Sequence, residues 1–139
     1  MNLKKTVWLF QTGEPLEIDK EGYKPLRLIN IINNIKKNYK NSKIVVFSSV
    51  FNHQTKKKRI VRTFLSRGVK YILIDSPGYK NNVSIFRFID HCILGINLAK
   101  YFIKNFNKKP DFAFIANPPV EFAFVASLFL RIKKVPFLL

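Results

Sequence analysis

Short apolar runs alternate along this chain with longer segments in which apolar residues recur at helical spacing. The runs at 5–10, 43–48 and 111–116 are continuous and rich in β-branched and aromatic residues, and a fourth occupies 135–139. Uninterrupted runs of this length are typical of strands that are buried on both faces of a parallel sheet. We therefore predict strands at these four places.

Three longer segments predict helices. In 25–39 the residues Leu28, Ile32 and Ile35 fall on one face, as in an amphipathic helix that covers a sheet. The segment 84–105 begins with Ser84, a good N-cap residue, and 119–131 is mostly apolar.

The segments 60–65 and 69–75 look like two further strands joined by 66–68, although the first could equally be a short helix. Strands that alternate with helices predict an α/β protein with a Rossmann-like, doubly wound, mostly parallel sheet flanked by helices. The length of 139 residues suits a single domain.

In such sheets ligands bind where the strands end. The loops at 11–24, 48–59 and 117–121 follow the carboxyl ends of three predicted strands, so function is expected there. None of them contains G-x-G-x-x-G or a P-loop motif, which weighs against a dinucleotide-binding oxidoreductase and a P-loop NTPase.

Charge adds a second signal, because 25 Lys and Arg oppose 8 acidic residues and give a net charge of +17. Such a chain attracts polyanions, whether nucleic acid, anionic lipid or a phosphorylated substrate. A biased genome would produce the same abundance of lysine, so charge alone does not choose a partner.

The compartment predicted from the sequence is the cytoplasm. Cys92 is the single cysteine, so no intrachain disulfide can form. The apolar run 7–10 is too short for a signal peptide, and 88–103 is interrupted by Asp90, His91 and Lys100. A transmembrane span is not expected.

Two loop residues are candidates for acid–base chemistry. Glu14 could act as a base or bind hydroxyls, against the simpler interpretation of a solvated carboxylate. His53 lies between two amides and just before four consecutive cations, a composition that can hold a phosphate while a histidine contacts hydroxyls. A solvated basic loop is the competing interpretation.

Arg87, Asp90 and His91 share one helix face, where an ordinary surface ion pair is the favoured interpretation. Metal binding and a bound cofactor are not predicted, because His53 and His91 are the two histidines and no acidic cluster accompanies them.

Nucleic acid would need exposed aromatic rings, but Phe47, Phe51 and Tyr79 belong to apolar runs or a turn and are expected in the core. These residues therefore weigh against nucleic acid as a partner.

Four strings, LFQTGEPL, SSVFNHQTKKKR, IDSPGYKNNVSIFRFIDH and PDFAFIANPPVEFAF, resemble successive blocks of one bacterial group of family 4 glycosyltransferases with the GT-B fold. The resemblance implies that 1–139 is an incomplete N-terminal, acceptor-side domain and that the donor domain is absent. Members usually carry Gly-Tyr where this chain has Ala116-Asn117, and they continue beyond the last strand.

The family transfers a sugar from a nucleotide-sugar donor to a lipid-linked or saccharide acceptor during synthesis of surface polysaccharides such as lipopolysaccharide. The resemblance implies that the donor binds to the missing domain, that a separate chain could supply it, and that this chain alone is inactive. It also implies a cytoplasmic protein in peripheral contact with anionic membrane. The alternatives are a noncatalytic basic module for nucleic acid or membrane, and a gene remnant.

The residues that match the family's cleft are carried over as an acceptor site, with His53 and Glu14 as catalytic candidates. They are Gly13, Glu14, Asn52, His53, Lys57, Tyr79, Arg87, Asp90, His91, Pro118, Pro119 and Glu121.

Overall fold

A computed structural model describes residues 4–19, 26–117 and 119–139, which form an α/β unit. In chain order its elements are β1 (Thr6–Phe10), α1 (Leu26–Asn38), β2 (Lys43–Ser49), β3 (Phe51–Asn52), β4 (Lys57–Lys58), β5 (Thr63–Ser66), β6 (Val69–Ile74), α2 (Ile85–Lys104), β7 (Phe112–Ile115), α3 (Val120–Ile132) and β8 (Phe137–Leu138). The alternation of strands and helices predicted from the sequence is confirmed.

One sheet of six strands carries the fold, in the order β5-β6-β2-β1-β7-β8. All neighbouring pairs are parallel except β5 and β6, which are antiparallel. The sheet is mixed at this edge, and its mostly parallel arrangement is compatible with a Rossmann-like fold. The helical alternative for 60–65 is wrong, because Thr63–Ser66 pairs with β6.

Residues 51–59, predicted as a plain loop, contain a small antiparallel hairpin. In it Phe51 pairs with Lys58 and Asn52 pairs with Lys57. The hairpin projects from the end of β2 and places the basic residues of the loop outside the main sheet.

The two faces of the sheet have different cores, because successive side chains of each strand point to opposite faces. Trp8, Phe10 and Phe47 face α2 and α3, where Phe102 and Phe129 stack with ring centroids 4.0 Å apart. Side chains of this size each contribute roughly 1.5–3 kcal/mol when buried.

The opposite face is aliphatic and is covered by α1. Leu9 and Val46, which are neighbours on β1 and β2, pack in one cluster with Leu28 and Ile32 of the helix. The helical spacing read from the sequence identified the buried face of α1 correctly.

The start of α2 is fixed by Ser84, the predicted N-cap. Its side-chain oxygen accepts a hydrogen bond from the backbone N of Arg87 at 3.3 Å. Within the described parts of the chain, none of the helices is both long and apolar enough to cross a membrane.

Candidate functional site

A cavity of about 220 Å³ lies at the carboxyl ends of the central strands. β1 is flanked by β2 and β7, so the strand order reverses beside it, and this is where open α/β sheets bind ligands. The backbone N of Ala116 donates to the carbonyl of Phe10 at 2.8 Å, which holds the loops after β1 and β7 side by side.

The cavity is lined by residues from each loop that meets at this edge and from the first half of α2. They are Gln11, Thr12, Gly13, Glu14, Arg27, Ser49, Phe51, His53, Tyr79, Arg87, Asp90, His91, Leu94, Ala116, Asn117 and Pro119.

Gln11 forms part of the cavity floor immediately after β1. Its backbone N donates to the carbonyl of Phe47 at 2.9 Å, and the residue is only 5% exposed. Its side-chain Oε1 is buried and has no hydrogen-bond partner among the described residues. Because a buried acceptor without a partner is costly, Gln11 is suited to receive a hydroxyl of a bound molecule.

Glu14 is engaged by the start of α1. Its carboxylate accepts hydrogen bonds from Arg27 Nε at 2.7 Å and from the backbone N of Leu28 at 3.1 Å. A carboxylate at a helix N-terminus satisfies an amide that has no partner within the helix. This arrangement favours a positioning role for Glu14, which fixes the first loop against α1, over the predicted role as a base.

His53 is joined to Tyr79 at the side of the cavity. Its Nδ1 is hydrogen-bonded to the Tyr79 hydroxyl. Burial lowers the pKa of His53, and the nearby cations of Lys56 and Arg87 lower it further. His53 is therefore neutral at neutral pH and can accept a proton or a hydroxyl hydrogen through its second ring nitrogen.

Tyr79 is held by the turn that precedes it. Gly78 adopts φ +81°, and its backbone N donates to Asp90 Oδ1 at 2.6 Å. Asp90 is 3% exposed. The favoured interpretation of a surface ion pair is therefore wrong, because Asp90 faces inward and ties α2 to this turn.

Arg87 and His91 also contact other residues instead of forming the predicted ion pair with Asp90. Arg87 Nη1 donates to the carbonyl of Asn82 at 2.9 Å, while His91 Nδ1 lies 3.7 Å from Glu121 Oε2. Burial lowers the pKa of His91, although Glu121 opposes the effect. Two neutral imidazoles therefore face one cavity.

Three of the predicted site residues are not brought to the cavity wall. Asn52 and Lys57 line a neighbouring cavity with Asp19 and Arg59. Asn52 Oδ1 caps its own turn, accepting from the backbone N of Gln54 at 2.9 Å. Glu121 reaches the cavity only through His91. The predicted Pro118 lies outside the described residues.

Sequence reasoning missed several lining residues. Gln11 and Thr12 directly follow a buried strand, and that position alone could have identified them. Ser49 and Asn117 could have been found in the same way. Nothing in the sequence indicated Arg27, because it lies at the site only through the contact between the start of α1 and Glu14 of the first loop.

Known proteins add no identification, since no family model matches the chain and no curated protein matches it. Within the described residues, no group of three or more His, Cys, Asp or Glu side chains could hold a metal ion.

Proposed function

We propose that this chain is the acceptor-side domain of a glycosyltransferase, which binds a lipid-linked or saccharide acceptor for transfer from a nucleotide sugar. The observation that carries the proposal is the cavity at the strand-order reversal. It is lined both by neutral His53 and by Gln11, whose amide oxygen has no partner among the described residues. The resemblance of four sequence blocks to family 4 enzymes adds support.

The chemistry of the cavity suits a sugar acceptor. The floor and the loops provide amide and hydroxyl groups from Gln11, Thr12, Ser49 and Asn117, which can hydrogen-bond the hydroxyls of a saccharide. His53, neutral and oriented by Tyr79, can take the proton of the acceptor hydroxyl as that oxygen attacks the donor sugar.

The donor would be held by a second Rossmann-like domain, as in GT-B enzymes, and transfer would take place in the cleft between the two. The proposed fold is accordingly one doubly wound half of a GT-B architecture, with α1 on one sheet face and α2 and α3 on the other. The proposed setting is synthesis of surface polysaccharide in the cytoplasm, in peripheral contact with anionic membrane.

The experiment is sugar transfer by a mixture. Purified chain is combined with a separately produced donor domain of a family 4 enzyme, a panel of nucleotide sugars and a polyprenyl phosphate-linked acceptor. We expect transfer in the mixture and none with either part alone. His53→Ala should lower the rate by roughly 10²–10⁴-fold, the usual contribution of a general base.

Lys58→Ala is the matched control, because Lys58 lies on the same hairpin, is exposed and does not line the cavity. If a folded chain supports no transfer with any donor domain, or if His53→Ala and Lys58→Ala behave alike, the proposal fails.

The net charge of +17 favours a second candidate, a noncatalytic module that binds anionic membrane or nucleic acid. That function predicts an affinity that falls steeply with salt and does not change in His53→Ala. Salt-dependent binding without sugar transfer would favour it.

A further inference from the structure

Two cations meet beside the cavity, on a residue that carries no charge. Arg87 lines the cavity, and Lys56 adjoins it through the ring of Tyr79. Lys56 Nζ donates to the side-chain oxygen of Asn82, and Arg87 Nη1 donates to the carbonyl of the same residue at 2.9 Å. Lys56 comes from the hairpin after β2 and Arg87 from the first turn of α2. Two separate elements therefore direct positive charge to one point.

The backbone and an aromatic ring fix Lys56. It adopts φ +58°, a conformation that a non-glycine residue rarely occupies and that is enriched at functional sites. Its Nζ lies 4.5 Å from the centroid of the Tyr79 ring, whose hydroxyl bonds His53. The cation is thus held beside the candidate catalytic histidine.

Within the described parts of the chain, the positive charge of Lys56 and Arg87 is not neutralised. Among the described residues, neither Lys56 nor Arg87 forms an ion pair with a carboxylate. Two carboxylates that line cavities together with Arg87 have other partners, Asp90 the backbone N of Gly78 and Glu121 the ring of His91.

Neighbouring cations contribute to the lowered pKa of two groups here. The pKa of Lys56 is lowered by burial and then by Arg87, and that of His53 by burial, Lys56, Arg87 and His91 in turn. Cations that lie close together beside a cavity favour an anion that would offset their charge.

We propose that Lys56 and Arg87 form a phosphate-binding subsite beside His53, which takes the phosphomonoester or diphosphate of the acceptor. The inference rests on the proposed function, and it specifies the acceptor as a phosphorylated one. The saccharide hydroxyls then lie deeper, towards Gln11. Both cations keep N–H donors beyond those that bond Asn82, as bonding to phosphate oxygens requires.

The test uses the chain alone and inorganic pyrophosphate as the probe. The pKa of His53 is measured by NMR titration of its imidazole, with and without pyrophosphate. A dianionic group beside His53 stabilises the imidazolium, so we expect pyrophosphate to raise the pKa. Lys56→Gln and Arg87→Gln should each weaken pyrophosphate binding by about tenfold and reduce this shift.

Two exposed cations outside the subsite serve as matched controls, Lys58→Gln on the hairpin and Lys104→Gln at the far end of α2. These variants should bind pyrophosphate as the wild type does. If all four variants lose affinity equally, or if pyrophosphate leaves the pKa of His53 unchanged, the subsite does not exist.

A second arm identifies the source of the phosphate. Phosphatidylcholine vesicles that carry polyprenyl phosphate are compared with vesicles that carry phosphatidylserine at equal surface charge. Preference for the phosphomonoester vesicles, lost in Lys56→Gln, supports a lipid-linked phosphate, whereas pyrophosphate binding without that preference supports a soluble one. Sugar transfer to an unphosphorylated acceptor without pyrophosphate binding would overturn this inference and leave the proposed function standing.

Discussion

Two cations on the segment after β2, Lys56 and Arg59, lie three residues apart but have opposite surroundings. Arg59 forms a two-pronged ion pair with Asp19, Nε to Oδ1 at 2.8 Å and Nη2 to Oδ2 at 2.5 Å. Both side chains are less than a tenth exposed, at 4% and 8%. Lys56, three residues earlier, has no such partner in the part of the chain that the structure describes. It and Arg87 both donate hydrogen bonds to the uncharged Asn82.

The difference lies in whether the surrounding groups neutralise the cation. Arg59 also donates Nη1 to the carbonyl of Ser49 at 2.7 Å, so its charge and its donors are satisfied inside the protein. That arrangement locks the first loop onto the hairpin. Lys56 and Arg87 have no carboxylate partner among the residues that the structure describes, and they lie beside the cavity, so their charge is available to a ligand.

The largest expected effect comes from Arg59→Ala. It removes one partner of a buried pair and leaves Asp19 charged without compensation, a change that typically costs about 3–5 kcal/mol. Urea denaturation should show this loss in the free energy of unfolding. Arg62→Ala is the control, since Arg62 pairs with Asp75 at the surface and such pairs contribute about 0–1 kcal/mol.

Combining Arg59→Ala with Asp19→Asn distinguishes the cost of an unpaired buried carboxylate from the cost of the lost Arg59 side-chain packing. The double variant no longer buries an unpaired carboxylate, so we expect it to be more stable than Arg59→Ala alone. If the two substitutions add without such recovery, the ion pair is not what joins the loop to the hairpin.

Gly78→Ala should have the next largest effect on stability, and it also disturbs the residues beside Lys56 and Arg87. The φ of +81° disfavours any side chain, and an added Cβ would lie 2.6 Å from Cδ2 of the Phe51 ring. Forced overpacking typically costs about 1–3 kcal/mol. Because Tyr79 follows directly, the response of His53 to pyrophosphate should also weaken.

Gly13→Ala is the matched control, measured in the same denaturation experiment. Gly13 lines the same cavity, yet no atom lies within 4 Å of the position of its added Cβ. We expect its stability to change by no more than about 0.5 kcal/mol. Equal losses at the two glycines would show that the turn at Gly78 is not specially constrained.

The contrast between the two charged groups marks the limit of the sequence analysis. Continuous apolar runs identified β1, β2 and β7, because burial on both faces leaves a strong signal. The string KKKR gave no sign that Arg59 would be buried and Lys56 would not. That outcome depends on Asp19, which is forty residues away and is placed by the loop after β1.

The prediction of site residues from the sequence has the same limit. Gly13, Glu14, His53 and Tyr79 were predicted and do line the cavity, because they follow strands or occupy turns at one sheet edge. Asn52 and Lys57 were carried over with them, yet the hairpin turns them towards a neighbouring cavity. Pairing over two residues on each strand is too short to leave a periodic pattern in the sequence.

The smallest expected effect is on the pH dependence of stability, in which the two histidines and Asp19 act over different pH ranges. The folded chain holds the pKa of His53 and His91 below the ordinary 6.5, so the unfolded chain binds more protons near that pH. The free energy of unfolding should therefore be full above about pH 6.5 and decrease as pH falls through the lowered values. Burial raises the pKa of Asp19, but the hydrogen bonds from Arg59 and Leu16 together with the charge of Arg59 outweigh it, so the pKa is lowered. The stability that Asp19 contributes is therefore lost only below about pH 4.

Lys56→Gln removes one of the charges that keep His53 neutral, so the decrease between pH 7 and 5 should become smaller. It should not vanish, because burial is the larger cause of the lowered pKa. Lys58→Gln, exposed on the same hairpin, should leave the pH profile unchanged. An identical profile in all three proteins would mean that Lys56 does not act on His53, and the contrast with the neutralised Arg59 would then have no electrostatic basis.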